Sequence, residues 1–156
     1  QALEAYHRRV MGGEFMSGTD LDDLRNILMN AIPETTTGDF RKSLEGKLKY
    51  INEFSLMKRL KDIFDQHSEV AKYFGMKRKP FTKLITDWRN YLTHFDEDSR
   101  RKLNIPDDQY YLELYYHVVK MKILLECCLM SEIGLDSKQL EFLKDHAKYN
   151  YLFHPK

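Results

Sequence analysis

Hydrophobic and polar residues follow the period of an α-helix along residues 79–95, because apolar positions recur at steps of three and four. At about 100° per residue, the apolar side chains share an arc of about 120°, and polar side chains occupy the opposite side. The apolar set is Phe81, Leu84, Ile85, Trp88, Tyr91, Leu92 and Phe95. The polar set is Thr82, Thr86, Arg89, Asn90, Thr93 and His94. This pattern predicts a helix with one face in the core and an arginine and a histidine near the end of the other.

The same helical period continues through the rest of the chain. The longest apolar stretch, about 107–133, is hydrophobic on most sides, so it must be covered by the core or by a second subunit. No stretch alternates as a half-buried β-strand would. Further helices are predicted over about 1–11, 39–54 and 136–150, with others between them and, over 96–108, a loop with at most one helical turn. The predicted fold class is all-α, an antiparallel-type bundle of five to seven helices.

Size, charge and cysteine content narrow the setting in which this chain works. Its 156 residues predict one domain over 1–156, and because the chain opens inside a helical pattern, we expect the C-terminal part of a longer protein. The net charge of +1 gives no overall attraction to nucleic acid or membrane, so any contact with RNA must be local. No signal peptide or membrane span is recognised, and the adjacent Cys127 and Cys128 fit a reducing compartment. We therefore expect a cytoplasmic protein without a membrane partner.

Arg89, Asn90 and His94 are the strongest candidates for chemistry. An imidazole can accept and release a proton near neutral pH, and a guanidinium carries planar donors that match phosphate oxygens. Asn90 precedes His94 by four residues, so these side chains are neighbours on the helix. Arg89 and His94 differ by about 140° around the axis and do not touch. A second copy across a two-fold axis would bring two arginines and two histidines to one cleft.

Such a cleft suits cleavage of an RNA phosphodiester without a metal. The histidine would deprotonate the ribose 2′-OH or protonate the leaving 5′-oxygen, and the arginine would stabilise charge on the phosphate. The expected products are a 2′,3′-cyclic phosphate and a 5′-hydroxyl. Periodicity alone also allows a structural interpretation, in which His94 is partly buried near the C-terminal helix dipole and Arg89 is a solvated surface residue.

The segment 88–95, W-R-N-Y-L-T-H-F, resembles the R-x4-6-H motif of HEPN domains, in which a polar residue often follows the arginine. It is most similar to the ApeA-like branch, as are the opening L-E-A-Y-H-R at 3–8 and the long hydrophobic helix after the motif. The resemblance implies an all-α bundle, a homodimer through the motif-bearing helices and metal-independent endoribonuclease activity. It implies Arg89 and His94 as the catalytic pair, with Asn90 as the supporting polar residue.

The resemblance leads to a functional prediction and an alternative to it. A bacterial HEPN endoribonuclease in phage defence or in a toxin system would cleave RNA, such as tRNA or another structured RNA. The alternative is a non-catalytic HEPN module that dimerises or binds RNA or nucleotides. We expect no cofactor and no metal, because the sequence has no Gly-rich phosphate loop and its histidines show no metal-ligand spacing.

Other residues are weaker candidates. Lys77, Arg78 and Lys79 could bind the RNA backbone or form a solvated charge run. Glu4 and His7 on the first predicted helix could approach the site, although a surface pair is the stronger expectation. Tyrosines that follow the motif could stack on bases, but tyrosines at helical spacing usually belong to a core or an interface. These tyrosines are Tyr110, Tyr111, Tyr115 and Tyr116.

Overall fold

A computed structural model describes residues 1–95, 97–136 and 142–145, without the side chains of 144 and 145. Among these residues, an isolated antiparallel bridge between Glu14 and Glu53 is the one β-type pairing. The helices are α1 (Ala2–Val10), α2 (Thr19–Asn30), α3 (Gly38–Leu48), α4 (Leu56–Gln66), α5 (Ser68–Tyr73), α6 (Arg78–His94), α7 (Glu97–Leu103), α8 (Tyr110–Glu132) and α9 (Phe142–Asp145).

The prediction of an all-α bundle with five to seven helices is confirmed. Six of the described helices have nine or more residues, and the short α5, α7 and α9 are additional. The stretch 96–108, predicted as a loop, contains the seven-residue helix α7. The predicted helix over 136–150 is described at α9, and most of it lies outside the described residues.

The chain divides into two compact units, and Met11–Ser55 forms one of them. In this unit, the buried side chain of Asn52 accepts a hydrogen bond from the Met16 N–H at 2.8 Å and donates one to the Met16 carbonyl at 2.7 Å. The rings of Phe15 and Phe54 meet edge to face at 4.5 Å. Two hydrogen bonds and a ring contact thus connect the two ends of the unit. The single domain predicted over 1–156 stays a prediction.

The second unit, Gln1–Val10 with Leu56–Lys156, contains the main hydrophobic core within its described residues. Helix α4 packs against α1, α6 and α8, and α1 also packs against α8. The buried core residues are Leu3, Tyr6, Leu60, Ile63, Phe64, Val70, Ala71, Phe74, Met76, Phe81, Ile85, Val119, Ile123, Leu124, Cys127, Cys128 and Leu143. Burial raises the pKa of Cys127 and of Cys128 to about 12, so both free thiols are small, unreactive core residues.

The buried residues of α6 lie between positions 81 and 88, whereas its C-terminal end is exposed. Phe81, Ile85 and Trp88 are buried, as the apolar stripe predicted. Thr82, which was predicted on the polar side, is fully buried, so this expectation is wrong. Its hydroxyl donates to the Lys79 carbonyl at 3.4 Å, which reduces the cost of burying it.

Two members of the predicted apolar stripe lie at the surface. Leu92 and Phe95 are exposed, so their assignment to the core of this chain is wrong. Both belong to the last turn of α6 or follow it directly. The helical period predicted the direction in which these side chains point, but it could not predict whether another element covers them.

Helix α8 has one buried face and one bare face. His117, Val119, Ile123, Leu124, Cys127 and Cys128 are its buried residues. Exposed apolar side chains recur about every three or four residues, or at multiples of that step, on another face. These are Tyr111, Tyr115, Val118, Leu129 and Ile133, which we call the exposed stripe of α8. A second subunit, one of the two predicted covers for this helix, stays a prediction.

None of the described helices combines the length and apolar character that crossing a lipid bilayer requires.

Candidate functional site

The last two turns of α6 carry the predicted catalytic residues. Arg89 and His94 are both exposed. Asn90, which follows Arg89 in sequence, is half-buried. Trp88, directly before Arg89, is 3% exposed, and its ring centroid lies 4.8 Å from that of Tyr110 on α8. The buried tryptophan fixes the rotation of α6 about its own axis, so the two polar side chains are held toward solvent.

Arg89 is positioned by its neighbour Asn90. Its Nη1 donates to Oδ1 of Asn90 at 3.4 Å, which is a long hydrogen bond. Within the described residues, no carboxylate lies at ion-pair distance from Arg89. Arg78, at the other end of α6, binds both oxygens of Asp65 at 2.5 Å, and this hydrogen bonding raises the pKa of Arg78. The guanidinium of Arg89 therefore remains available to an external anion such as a phosphate.

His94 is the last residue of α6, and the chain leaves the helix immediately after it. Phe95 adopts a left-handed backbone conformation with φ 52° and ψ 32°. Its N–H donates to the Tyr91 carbonyl at 2.6 Å, which closes the helix end. The structural interpretation placed His94 at the end of the helix, which is confirmed, and partly buried, which is wrong because its side chain is exposed. The imidazole is open to solvent and could exchange protons with a bound molecule.

The predicted substrate-binding residues lie at the opposite end of α6. Lys77 precedes the helix, and Arg78 and Lys79 occupy its first turn. At 1.5 Å per residue, Arg78 and Arg89 are about 16 Å apart along the axis. An RNA strand would have to run along α6 to reach both ends. The role of these three residues in binding stays a prediction.

A cavity of about 510 Å³ lies beside Arg89, between α1, α4, α6 and α8. Its walls are mainly apolar, and a few polar side chains stand among them. From α6 it is lined by Ile85, Trp88, Arg89, Leu92 and Thr93. From α8 it is lined by Leu114, His117, Val118, Met121, Lys122 and Leu125. The cavity therefore connects the motif end of α6 with the exposed stripe of α8, through Val118.

The first helix meets the site with one of its two candidate residues. Glu4 lines the same cavity as Arg89, so it approaches the site, which was one of the two expectations for this residue. His7 is fully buried, so the expectation of a surface pair is wrong for this residue. His7 Nε2 lies 3.1 Å from Asp62 Oδ2, and Nδ1 lies 3.3 Å from Nη1 of Arg59. Contact between α1 and α4 thus places His7 in the core.

Basic residues on α7 were missed as candidates because 96–108 was predicted to be a loop. Arg100 lies over the ring of Tyr110 at 5.0 Å, and Arg101 and Lys102 follow it at the surface. Helix α7 packs against α6, so this basic group adjoins the motif helix. The signal in the sequence was the run S-R-R-K at 99–102.

Among the residues that the structure describes, no group of three or more histidine, cysteine or acidic side chains is arranged to hold a metal ion.

Comparison with known families identifies the chain. The family model described as Apea-like HEPN matches residues 1–139, a range that includes Arg89, Asn90 and His94. The chain therefore belongs to the ApeA-like HEPN family, as its motif predicted. Searches of curated proteins and of solved structures returned no match.

Proposed function

We propose that this chain is a metal-independent endoribonuclease that works as a homodimer. It cleaves RNA by attack of the ribose 2′-OH on the adjacent phosphate, and it leaves a 2′,3′-cyclic phosphate and a 5′-hydroxyl. The observation that carries this proposal is the open presentation of Arg89 and His94 on one helix of an ApeA-like HEPN chain. A bacterial defence or toxin-type protein that acts on structured RNA such as tRNA in the cytoplasm is the setting we infer.

Each of the three polar residues has a distinct role in this mechanism. Arg89 binds the non-bridging oxygens of the scissile phosphate and stabilises the charge that develops in the pentacoordinate transition state. His94 removes the proton of the attacking 2′-OH or donates a proton to the leaving 5′-oxygen. Asn90 accepts a hydrogen bond from Nη1 of Arg89 and so limits the directions in which the guanidinium can point.

The geometry of a single helix explains why the proposal requires two copies. Arg89 and His94 are five residues apart, which separates them by about 7.5 Å along the axis and about 140° around it. One protomer therefore gives a divergent pair, whereas two copies of α6 across a two-fold axis would provide a cleft with a histidine from either chain.

Exposed apolar residues support the same arrangement. Leu92 lies between Arg89 and His94 in sequence and is exposed, and with Val118 of the exposed stripe of α8 it lines the cavity beside Arg89. Burying such residues against a second copy would remove apolar surface from water. A homodimer formed through α6 and the aliphatic members of the exposed stripe of α8 would also cover part of the helix that was predicted to be covered on several sides.

The test is cleavage of total RNA in EDTA by the parent chain and by Arg89→Ala and His94→Ala. Loss of one proton-transfer or phosphate-binding group should lower the rate by about 10²- to 10⁴-fold. Arg9→Ala is a matched control, because Arg9 is also exposed but lies on α1. If the parent and both site variants cleaved RNA at equal rates, Arg89 and His94 would not be the catalytic residues.

End-group analysis of the products tests the mechanism separately from the site. A 2′,3′-cyclic phosphate or its 2′- or 3′-monophosphate is expected together with a 5′-hydroxyl. A 3′-hydroxyl product would contradict attack by the 2′-OH, even if both site variants were inactive.

A non-catalytic HEPN module that dimerises or binds RNA or nucleotides is the alternative proposal, and the exposed stripe of α8 favours its dimerising form. It predicts that the parent chain dimerises without cleaving any RNA. It also predicts that Val118→Asp disrupts the dimer while His94→Ala leaves it intact. Sedimentation at several protein concentrations measures both effects.

A further inference from the structure

A series of aromatic rings leads from the core to the surface beside His94. We call this series the aromatic ladder, and its members are Trp88, Tyr91, Phe95, Tyr110 and Tyr111. The ring of Tyr110 lies 4.8 Å from Trp88, 6.1 Å from Tyr91 and 5.1 Å from Tyr111, and Tyr91 lies 5.9 Å from Phe95. Trp88 is buried, whereas Phe95 is 70% exposed and Tyr111 is 80% exposed. The ladder is therefore anchored in the core and open to solvent at two ends.

Phe95 has a left-handed backbone conformation that the packing of the described chain does not explain. Glycines take the left-handed conformation after α1, α5 and α8, where Gly12, Gly75 and Gly134 have φ of 80°, 68° and 91°. Asn104 takes it after α7, and asparagine is tolerated there. Phe95 takes it after α6 at φ 52°, where a Cβ atom is disfavoured. Since the ring is mostly exposed, burial within the described chain gives little compensation for this strain.

The surroundings of the exposed rings favour a nucleic acid over a protein partner. Arg100 lies over Tyr110 at 5.0 Å, and Arg101 and Lys102 are exposed on the same helix α7. Asp107 pairs with Arg100 and Asp98 with Arg101, and Glu97 lies on the same helix, so α7 together with Asp107 supplies basic donors locally but no net positive charge. Tyrosine rings beside basic side chains are the usual composition of surfaces that bind single-stranded nucleic acids. The exposed stripe of α8 is more aliphatic toward its C-terminal end and suits a second copy better.

We propose that the exposed rings of the aromatic ladder stack on unpaired bases of an RNA strand whose phosphate lies at Arg89 and His94. Phe95 follows His94 directly, with consecutive Cα atoms 3.8 Å apart, so the base next to the bound phosphate is within its reach. An exposed ring face accepts any base, but only a base that is not already stacked in a duplex. The site thus selects single-stranded loops and bulges. This inference rests on the proposed function for the identity of the ligand as RNA.

The test measures binding without cleavage. A fluorescent 2′-O-methyl oligonucleotide has no free 2′-OH to attack, so it can be titrated against the parent chain, first as a single strand and then annealed to its complement. Phe95→Ala and Phe95→Leu should weaken single-strand binding by about 5- to 100-fold, the range seen when a stacking ring is removed. Phe95→Tyr should restore it, and duplex binding should change by less than about twofold in every variant.

Phe95→Gly separates stacking from folding. Glycine relieves the left-handed strain, so this variant should melt at or above the temperature of the parent and yet bind the single strand as weakly as Phe95→Ala. Single-strand binding that is unchanged in Phe95→Ala, Phe95→Leu and Phe95→Gly would overturn the inference, whether or not the parent cleaves natural RNA.

Measuring mass and cleavage in parallel distinguishes the remaining outcomes. If Phe95→Ala is monomeric at a concentration where the parent is dimeric, the rings contact a second copy and the inference is overturned. If binding depends on Phe95 but the parent never cleaves natural RNA, the proposed nuclease function fails and the stacking surface stands.

Discussion

The chain contains two arginine–histidine pairs in opposite surroundings. His7 on α1 and Arg59 on α4 are 0% and 1% exposed, and Nη1 of Arg59 lies 3.3 Å from Nδ1 of His7. Arg89 and His94 on α6 are both exposed, and their side chains diverge around the helix. The residue types are the same, but the two pairs differ in burial, in partners and in the distance along the chain between their members.

Both ring nitrogens of His7 in the buried pair form hydrogen bonds. A guanidinium can only donate, so Nδ1 of His7 must accept from Arg59, and Nε2 must carry the proton that it donates to Asp62. Asp62 also accepts from Lys58 at 2.5 Å and 2.6 Å. A histidine fixed in this way has no free nitrogen for a substrate. Within the described part of the chain, Arg89 and His94 have no comparable hydrogen bonds to a carboxylate or to each other. Chemistry is therefore proposed for this exposed pair, and a structural role for His7 and Arg59.

Arg59→Ala breaks the buried pair and should have the largest effect on stability. It removes a side chain that is fully enclosed and leaves Nδ1 of His7 without this donor, and the cavity and the lost hydrogen bond together should lower the free energy of unfolding by about 2–5 kcal/mol. Urea denaturation followed by circular dichroism measures this loss.

Arg89→Ala is the matched control for the stability experiment. An exposed arginine without a carboxylate partner among the described residues should change the free energy of unfolding by less than about 0.5 kcal/mol. If the two substitutions destabilised the chain equally, burial would not be what separates the pairs, and the comparison would fail.

Sequence reasoning located the exposed pair because both members lie on one helix. The predicted helix over 79–95 is found as Arg78–His94, and the positions of Arg89 and His94 on its polar side follow from the helical period alone. The same period misplaced Thr82, Leu92 and Phe95, since a direction around the axis does not reveal which directions other helices cover.

The buried pair was beyond such reasoning. His7 and Arg59 are 52 residues apart, and nothing local to α1 indicates that α4 packs on the same face. The sequence therefore placed His7 at the surface. The aromatic ladder has the same origin, because it joins α6 to α8 and becomes continuous through contacts between the two helices. Helix formation could be predicted from local pattern, but sites assembled from different helices could not.

Acid should weaken the buried pair through Asp62. Burial opposes ionisation of this carboxyl, but hydrogen bonds from Lys58 and His7 outweigh it and hold the pKa of Asp62 below its usual value. The ionised carboxylate therefore stabilises the folded chain above pH of about 4, and this contribution is lost as the pH falls through the lowered pKa. Asp62→Asn should be less stable than the parent at pH 7 and should lose less stability between pH 5 and pH 2.

Urea midpoints across this pH range measure the effect of Asp62. Asp98→Asn is the control, because Asp98 is an exposed carboxylate paired with Arg101 on α7. It should leave the pH dependence of the parent unchanged. A parent curve that Asp62→Asn does not flatten would show that the tie to His7 and Lys58 contributes nothing to stability.

Asn90→Ala tests how loosely the exposed pair is held, and it should have the smallest effect. The hydrogen bond from Arg89 to Asn90 is 3.4 Å long and lies at the surface, so its loss should cost at most about 1 kcal/mol, or about fivefold in the cleavage rate. Asn90→Asp should cost more than Asn90→Ala, since a carboxylate beside the guanidinium would compete with the phosphate for it. Single-turnover cleavage measures both variants. A loss in Asn90→Ala as large as in Arg89→Ala would mean that Asn90 contacts the RNA itself, and the exposed pair would have to be extended to three residues.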